Sequence, residues 1–211
     1  MNFQLITTTA FCATSLCLPL CGVTLLNSSF ESSTGSPTSM VGGGEQWAAS
    51  NNGIDNWTIT LDGVERFQPA SFGLGPAPDG DWVLDLAYFT SASGGGVSQI
   101  VAATPSEAFT LEFSASTARS SGRDGTAEIE LLIDDVLVRT ISLSNPLATM
   151  DWQNFSEVIT PTSANTKIEF RNSQNANLHF AYLDGVSVVP EPSSAILSVI
   201  GLLALLRRKR S

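Results

Sequence analysis

Apolar and polar residues alternate along most of the middle of this chain. Phe109, Leu111 and Phe113 are interleaved with Thr110, Glu112 and Ser114. Ala127, Ile129, Leu131 and Ile133 are interleaved with Thr126, Glu128, Glu130 and Leu132. The same rhythm sets Ile168 and Phe170 against Lys167, Glu169 and Arg171, and Leu178, Phe180 and Tyr182 against His179, Ala181 and Leu183. A period of two predicts strands with one face buried. Further strands are expected over 23–27, 57–66, 81–87, 97–102, 136–143 and 152–159. Asp134-Asp135, between two such runs, predicts a tight hairpin turn. Many short strands with no sustained helical period predict an all-β fold, a jelly-roll β-sandwich, over residues 24–188. The Gly/Ser-rich stretch 32–53 and the Pro/Gly-rich stretch 68–80 read as long loops, and no internal repeat or second domain is visible.

The two ends break this pattern. Residues 3–20 are apolar or hydroxylic except for Gln4, and a polar run begins at Asn27, which is the shape of a signal peptide over 1–23. At the other end, residues 194–206 form an uncharged run of 13 residues followed by Arg207, Arg208, Lys209 and Arg210. As a helix that run rises about 20 Å, short of a hydrocarbon core of about 30 Å. The basic cluster would hold its end on the cytoplasmic side. With the leader exported, the middle domain lies outside the membrane.

Charge and cysteine content sharpen this division. All 20 acids fall between Glu31 and Glu191, against six bases there, Arg66, Arg119, Arg123, Arg139, Lys167 and Arg171. So acidic a domain repels nucleic acid and excludes a nucleic-acid-binding role. The three cysteines, Cys12, Cys17 and Cys21, all lie in or beside the leader. The mature domain therefore has no internal disulfide and no thiolate metal site, and its core alone must hold it together.

Val189-Pro190-Glu191-Pro192, the short apolar helix and the terminal basic cluster together resemble the PEP-CTERM sorting signal of bacteria, over 189–211. The resemblance implies recognition by an exosortase, transient insertion in the inner membrane, and removal of the tail. The two prolines bar helix and keep the motif extended. A second resemblance spans most of 23–188. Its ordered pieces are LLNSSFE at 25–31, Trp57, PDGDWVLDL at 78–86 and GGGVSQIV at 94–101, then AFTLEF at 108–113, Trp152, NTKIEF at 165–170 and AYLDGVSV at 181–188. The set is similar to the choice-of-anchor C family, a galactose-binding-like jelly roll, and to calcium-binding carbohydrate-binding modules. That likeness implies a structural Ca²⁺ between the terminal strands, with Glu31 and Asp184 at the matching positions. Asp184-Gly185 stands where an Asp-Asp pair is frequent, one carboxylate fewer.

Catalytic chemistry finds little support along the chain. His179 is the one histidine and no G-x-S-x-G elbow occurs, so a Ser-His-Asp triad is not expected, nor is a zinc site. Paired carboxylates for glycoside hydrolysis are limited to Asp79, Asp81 and Asp85 and to Asp134 and Asp135, positions that turns also favour. Trp57, Trp82 and Trp152 lie in strand patterns and read as core. Trp47, in the polar stretch GGGEQWAASNN, reads either as a plug packed down onto the core or as a loop-borne aromatic platform for a sugar, with Tyr88 and Phe89 as the next candidates for a sugar face. The expectation is an exported surface or extracellular-matrix protein with a non-catalytic carbohydrate-binding or structural domain. A hydrolase using paired carboxylates and a purely adhesive protein are the alternatives.

Overall fold

A computed structural model describes residues 22–88, 94–120, 122–175 and 177–191. The leader up to residue 21, the tail from Pro192 and Phe89 lie outside the described residues. Among the described residues, no helix is long and apolar enough to cross a membrane.

The described chain is an all-β sandwich of two antiparallel sheets. Its strands are β1 (Ser39–Val41), β2 (Gly44–Ala48), β3 (Thr58–Leu61), β4 (Gly63–Phe67), β5 (Val83–Asp85), β6 (Gly95–Ala102), β7 (Phe109–Ser116), β8 (Thr126–Ile133), β9 (Val136–Ser144), β10 (Gln153–Ile159), β11 (Asn165–Asn172) and β12 (Tyr182–Pro190). One sheet has the order β1-β2-β4-β5-β12-β7-β10 and the other β3-β6-β11-β8-β9. The inward half of each alternating pattern fills the space between them. Val64, Leu84, Leu111 and Leu183 come from the first sheet, and Ile59, Val97, Ile129, Leu131, Ile168 and Phe170 from the second. Phe113 meets Phe170 edge-on across the gap at 4.9 Å between ring centroids, a favoured aromatic geometry.

The turn at Asp134 and Asp135 is as the sequence indicates: both residues have positive φ, 49° and 67°, and Ile133 faces Val136 across the hairpin. Other expectations are corrected. The stretch 32–53 is not one long loop, because Gly42 and Gly43, with φ of 61° and 104°, turn β1 back onto β2. Two consecutive positive-φ residues are what a two-residue hairpin loop demands. The run 57–66 is two strands. Leu61 and Gly63 take positive φ, and the chain there leaves the five-stranded sheet for the seven-stranded one. The run 178–182 is a turn that enters a strand only at Tyr182, its N–H groups at Leu178 and His179 spent on the Asn175 carbonyl. Residues 23–27 form no strand, although Leu26 exchanges both of its backbone hydrogen bonds with the Gln99 side-chain amide.

The last strand also runs further than residue 188. Val189 and Pro190 pair with Thr110 and Phe109 of β7, and the Glu191 side chain accepts a hydrogen bond from Thr110. The motif's first residues are thus extended, and continuous with the domain. A proline is tolerated there because it closes the strand.

Candidate functional site

The alternation that fills the core also places a second set of residues on the outer face of the seven-stranded sheet. Glu65 of β4 faces Asp85 of β5, Asp85 faces Tyr182 of β12, and Tyr182 faces Ser116 of β7. Their strand neighbours Val64, Leu84 and Leu183 point into the core, so this row must point away from it. The row is nevertheless covered. A 3₁₀ turn at Pro69–Phe72 and the loop after it bring Phe72 and Leu74 over it, and Ala118, Ser120 and Arg123, which follow β7, close its side. The result is a cavity of about 330 Å³ floored by Glu65, Asp85 and Tyr182 and walled by Phe67, Phe72 and Phe180, with Arg123 at its side.

The electrostatics of this cavity are unusual for so acidic a protein. Asp85 is 3% exposed, and its Oδ1 has no hydrogen-bond partner. Burial pushes its carboxyl well above the usual range, and the charge of Glu65 adds to this. A hydrogen bond from the Ala181 backbone and the nearby Arg123 act the other way. Burial raises Glu65 to about 7 against the pull of a Gln46 hydrogen bond and of Arg123. The Tyr182 phenol is raised as well, by burial and then by Asp85. The Arg123 guanidinium lies 3.6 Å over the Phe180 ring with its Nε unpaired. Two carboxyls side by side in a buried pocket do not both ionise readily, so the pair holds protons more tightly than free carboxylates do and titrates as a unit. Such a floor can both donate and accept hydrogen bonds.

Of the two readings of Trp47, the platform is corrected and the core plug is the one found. Trp47 belongs to β2 and is 1% exposed. Its indole lies against Gly53, where a Cβ would come within 1.8 Å of the ring, and its Nε1 donates to Glu45 at 3.2 Å. A ring with no accessible face cannot stack on a sugar. Tyr88 is half-buried against Gly63 and does not line the cavity. Phe89 lies outside the described residues, as do Pro192, Arg207, Arg208, Lys209 and Arg210.

Glu31 and Asp184 both meet the loop before β5. Glu31 Oε1 accepts from the N–H groups of Asp81 (2.9 Å) and Trp82 (2.8 Å). Asp184 accepts from those of Asp79 (3.0 Å) and Gly185 (2.7 Å). Asp184 is fully buried and raised to about 7, chiefly by burial, with Asp79 and Glu31 adding charge repulsion. The two carboxylates present hard oxygen atoms, the kind Ca²⁺ takes as ligands. The ion's six to eight ligands would have to be completed by backbone and water oxygens. Among the described residues, no group of three or more His, Cys, Asp or Glu side chains is close enough to hold a metal.

The other carboxylates separate cleanly. Asp134 and Asp135 form the hairpin turn, where Asp134 accepts from the Lys167 N–H and Asp135 pairs with the Lys167 ammonium. Of Asp79, Asp81 and Asp85, only Asp85 lines the cavity. The His179 Nδ1 lies 2.9 Å from the Thr126 carbonyl oxygen, within reach to donate to it, away from either carboxylate pair. Glu65, Arg123 and Tyr182 were not singled out by the sequence.

No family model and no curated protein matches the sequence. Solved structures do share its fold. TmCBM61 in complex with β-1,4-galactotriose superposes with a TM-score of 0.52 at 16% identity, covering 79% of this chain and 97% of that one. A cyclase from Fischerella sp. TAU gives a TM-score of 0.55 at 15% identity over 81% of this chain and 96% of that one. The cyclase Fisc from the same organism, bound to (3Z)-3-(1-methyl-2-pyrrolidinylidene)-3H-indole, gives 0.53 at 14% identity over 81% and 98%. The chain has the jelly-roll fold of carbohydrate-binding modules, a fold that also carries cyclases.

Proposed function

We propose that this chain is an exported surface or extracellular-matrix protein whose jelly roll binds a glycan in the outer-face cavity without cleaving it. The cavity carries the reading. Its walls are aromatic, and the Asp85 Oδ1 on its floor and the Arg123 Nε at its side are buried polar atoms without a hydrogen-bond partner, which matches the apolar faces and polar edges of a sugar ring. The fold likeness to a galactotriose-bound module supports the reading by analogy. The excess of acids over bases argues against nucleic acid as the partner.

Export and sorting rest on the leader-like residues 1–23 and on the Pro-Glu-Pro, apolar run and basic cluster of 189–211. A bacterial choice-of-anchor protein processed by an exosortase fits these features. Intact-mass measurement on protein extracted from the surface is expected to show an end near Pro192. A mature species that still carries Arg207 to Arg210 would make the tail a plain anchor.

The binding test is retention on immobilised neutral and charged polysaccharides. Asp85→Asn is expected to weaken retention at least tenfold while the fold persists, since it removes a buried acid that burial disfavours. Undiminished retention in that variant, or no retention of any glycan by the parent, would overturn the reading. A second reading, a carbohydrate-active hydrolase, is favoured by one observation: Glu65 and Asp85 are adjacent carboxyls with raised proton affinity, which is equipment for acid catalysis. Release of reducing ends from a retained polysaccharide separates the two. A structural Ca²⁺ held by Glu31 and Asp184 completes the proposal. Its role would be to offset the buried charge of Asp184 and fasten the loop before β5 to the last strand.

A further inference from the structure

We infer that the unit held in the outer-face cavity carries a protonated amine, an unacetylated amino-sugar residue of a polysaccharide, seated with its ammonium between the Glu65 and Asp85 carboxyls. This rests on the glycan-binding reading and specifies its ligand. The cavity, about 330 Å³, is at the small end of ligand sites and accommodates a single sugar unit better than a long segment.

The argument begins with the groups that face one another there. β4 supplies Glu65, β5 Asp85, β12 Tyr182 and the segment after β7 Arg123. The 3₁₀ turn, the loop after it and the β1–β2 turn supply only Phe72, Leu74, Val41 and Gly42, and the neighbouring strands β2 and β7 supply the neutral Gln46 and Ser116. With both carboxyls ionised the cavity would hold two negative charges against the one positive charge of Arg123, in a site where Asp85 is 3% exposed. A proton balances this while the cavity is free of ligand. A neutral sugar brings no charge to replace that proton, and a sugar acid adds to the imbalance. An ammonium brings one positive charge and three N–H donors. Those donors suit Glu65 and the unpaired Asp85 Oδ1. Phe67 and Phe72, which meet edge-on at 5.3 Å, offer aromatic surface to the cation and to the ring. The domain's surplus of acids steers a cation toward it.

Binding of this kind exchanges a proton for a cation. Below the pH at which the pair ionises, the ligand must displace the proton, and affinity is lost. Affinity should therefore rise as pH increases toward 7, the value near which Glu65 titrates.

The experiment is isothermal titration of the protein with three oligosaccharides of equal length, of glucosamine, N-acetylglucosamine and galactose. Titrations are run at pH 5 and pH 7 in buffers of different ionisation enthalpy. The glucosamine oligomer is expected to bind at least tenfold more tightly than the other two at pH 7. It should weaken at least about tenfold at pH 5, because displacing one bound proton costs a factor of about ten for each pH unit below the ionisation of the pair, and at pH 5, where its amine is already fully protonated, it should release protons on binding. Glu65→Gln and Asp85→Asn should each abolish the amine preference and flatten the pH dependence. Because either substitution alone could disturb the fold, both variants are checked by their melting temperatures, and the proton release of the parent protein stands as an independent readout. If the galactose or acetylated oligomer binds as tightly as the glucosamine one, or if binding of the glucosamine oligomer at pH 5 releases no proton, the inference fails while glycan binding stands. If no glycan of any kind is retained, the reading beneath it fails as well.

Discussion

Trp47→Ala should lower the stability of the protein by about 3–5 kcal/mol, the usual cost of truncating a buried tryptophan. Trp47 is among the largest fully buried side chains. It is opposite Val64 in the β2–β4 pairing, and its ring fills the space that the absent side chain of Gly53 leaves open. Its N–H reaches Glu45. Glu45 in turn pairs with Arg66 at 2.8 Å, and Arg66 donates to the carbonyls of Phe30 (2.6 Å) and Glu31 (2.7 Å). Truncation therefore opens a void and loosens the group that ties the first segment to β4. Urea denaturation should report the loss as a lower midpoint with an unchanged slope. A second substitution checks the geometry. Gly53→Ala places a methyl 1.8 Å from the indole, so it should also destabilise the parent. In the Trp47→Ala background it should cost little, because the clash is gone, and a double-mutant cycle would register the coupling. Glycan affinity of the folded fraction should be unaffected by Trp47→Ala. Near-parental stability, or additive effects of the two substitutions, would refute the assignment of Trp47 to the core.

Why the sequence leaves Trp47 open while serving well elsewhere has a physical explanation. Long runs such as 109–113 and 126–133 alternate because one face meets the other sheet along their whole length, and the period is visible without knowing the partner. β1 and β2 are three and five residues long, too short to show a period, and Met40 of β1 is exposed. Their one clear signal is the Gly42-Gly43 pair, a hairpin turn that the surrounding glycines and serines mask. Trp47 then looks like a loop residue because its neighbours in sequence are polar, although its neighbours in space are not. The site is harder still. A carboxyl inside each of the apolar stretches GVERF and WVLDL is legible as an oddity, since strand interiors seldom bury an acid. That Glu65 and Asp85 stand side by side depends on register. That Tyr182 completes the row depends on a pairing across 97 positions of sequence, which no local pattern records. Gly63, by contrast, marks the corner at which the chain changes sheets. A Cβ on Gly95 would sit 1.7 Å from the Gly63 carbonyl oxygen, so glycine at position 95 is a requirement of close approach.

The stability of the ligand-free protein should fall as pH rises from 5 to 8. Glu65 and Asp184 have their affinities for protons raised to about 7, and Asp85 is raised well beyond the ordinary carboxylate range, in each case chiefly by burial. In the unfolded chain these groups titrate near 4. Between the unfolded and folded values the native state therefore holds protons that the unfolded state has released. Stability changes with pH in proportion to the protons bound by the unfolded state minus those bound by the native state. That difference is negative here, so the slope is negative. The penalty is absent below about pH 4 and complete for Glu65 and Asp184 above about 7. Each pH unit between the folded and unfolded titrations of a group corresponds to about 1.4 kcal/mol, and with partial relaxation of the pocket the three groups together should cost about 2–4 kcal/mol over the interval. Other perturbed groups do not mask it. Asp55 is lowered by its hydrogen bonds from Ser32 and Thr34 and Asp124 by those from Thr126, so both act at or below the ordinary carboxylate range. Lys167, raised by Asp135 and Glu169, and Tyr182 act above pH 10. Urea midpoints at pH 5, 6, 7 and 8 measure the slope, and Asp85→Asn and Glu65→Gln should each flatten it by removing an acid from the cavity. Ca²⁺ separates the two places. If the ion binds at Glu31 and Asp184, it stabilises the ionised form of Asp184, so millimolar Ca²⁺ should raise the midpoint most at pH 8 and a chelator should restore the original slope. Equal curves in Ca²⁺ and chelator would remove the ion while leaving the cavity pair untouched. A parent protein whose stability is level or increases from pH 5 to 8 would mean that these carboxyls ionise freely in the fold, and the shared proton on which the cavity's ligand preference rests would be lost with it.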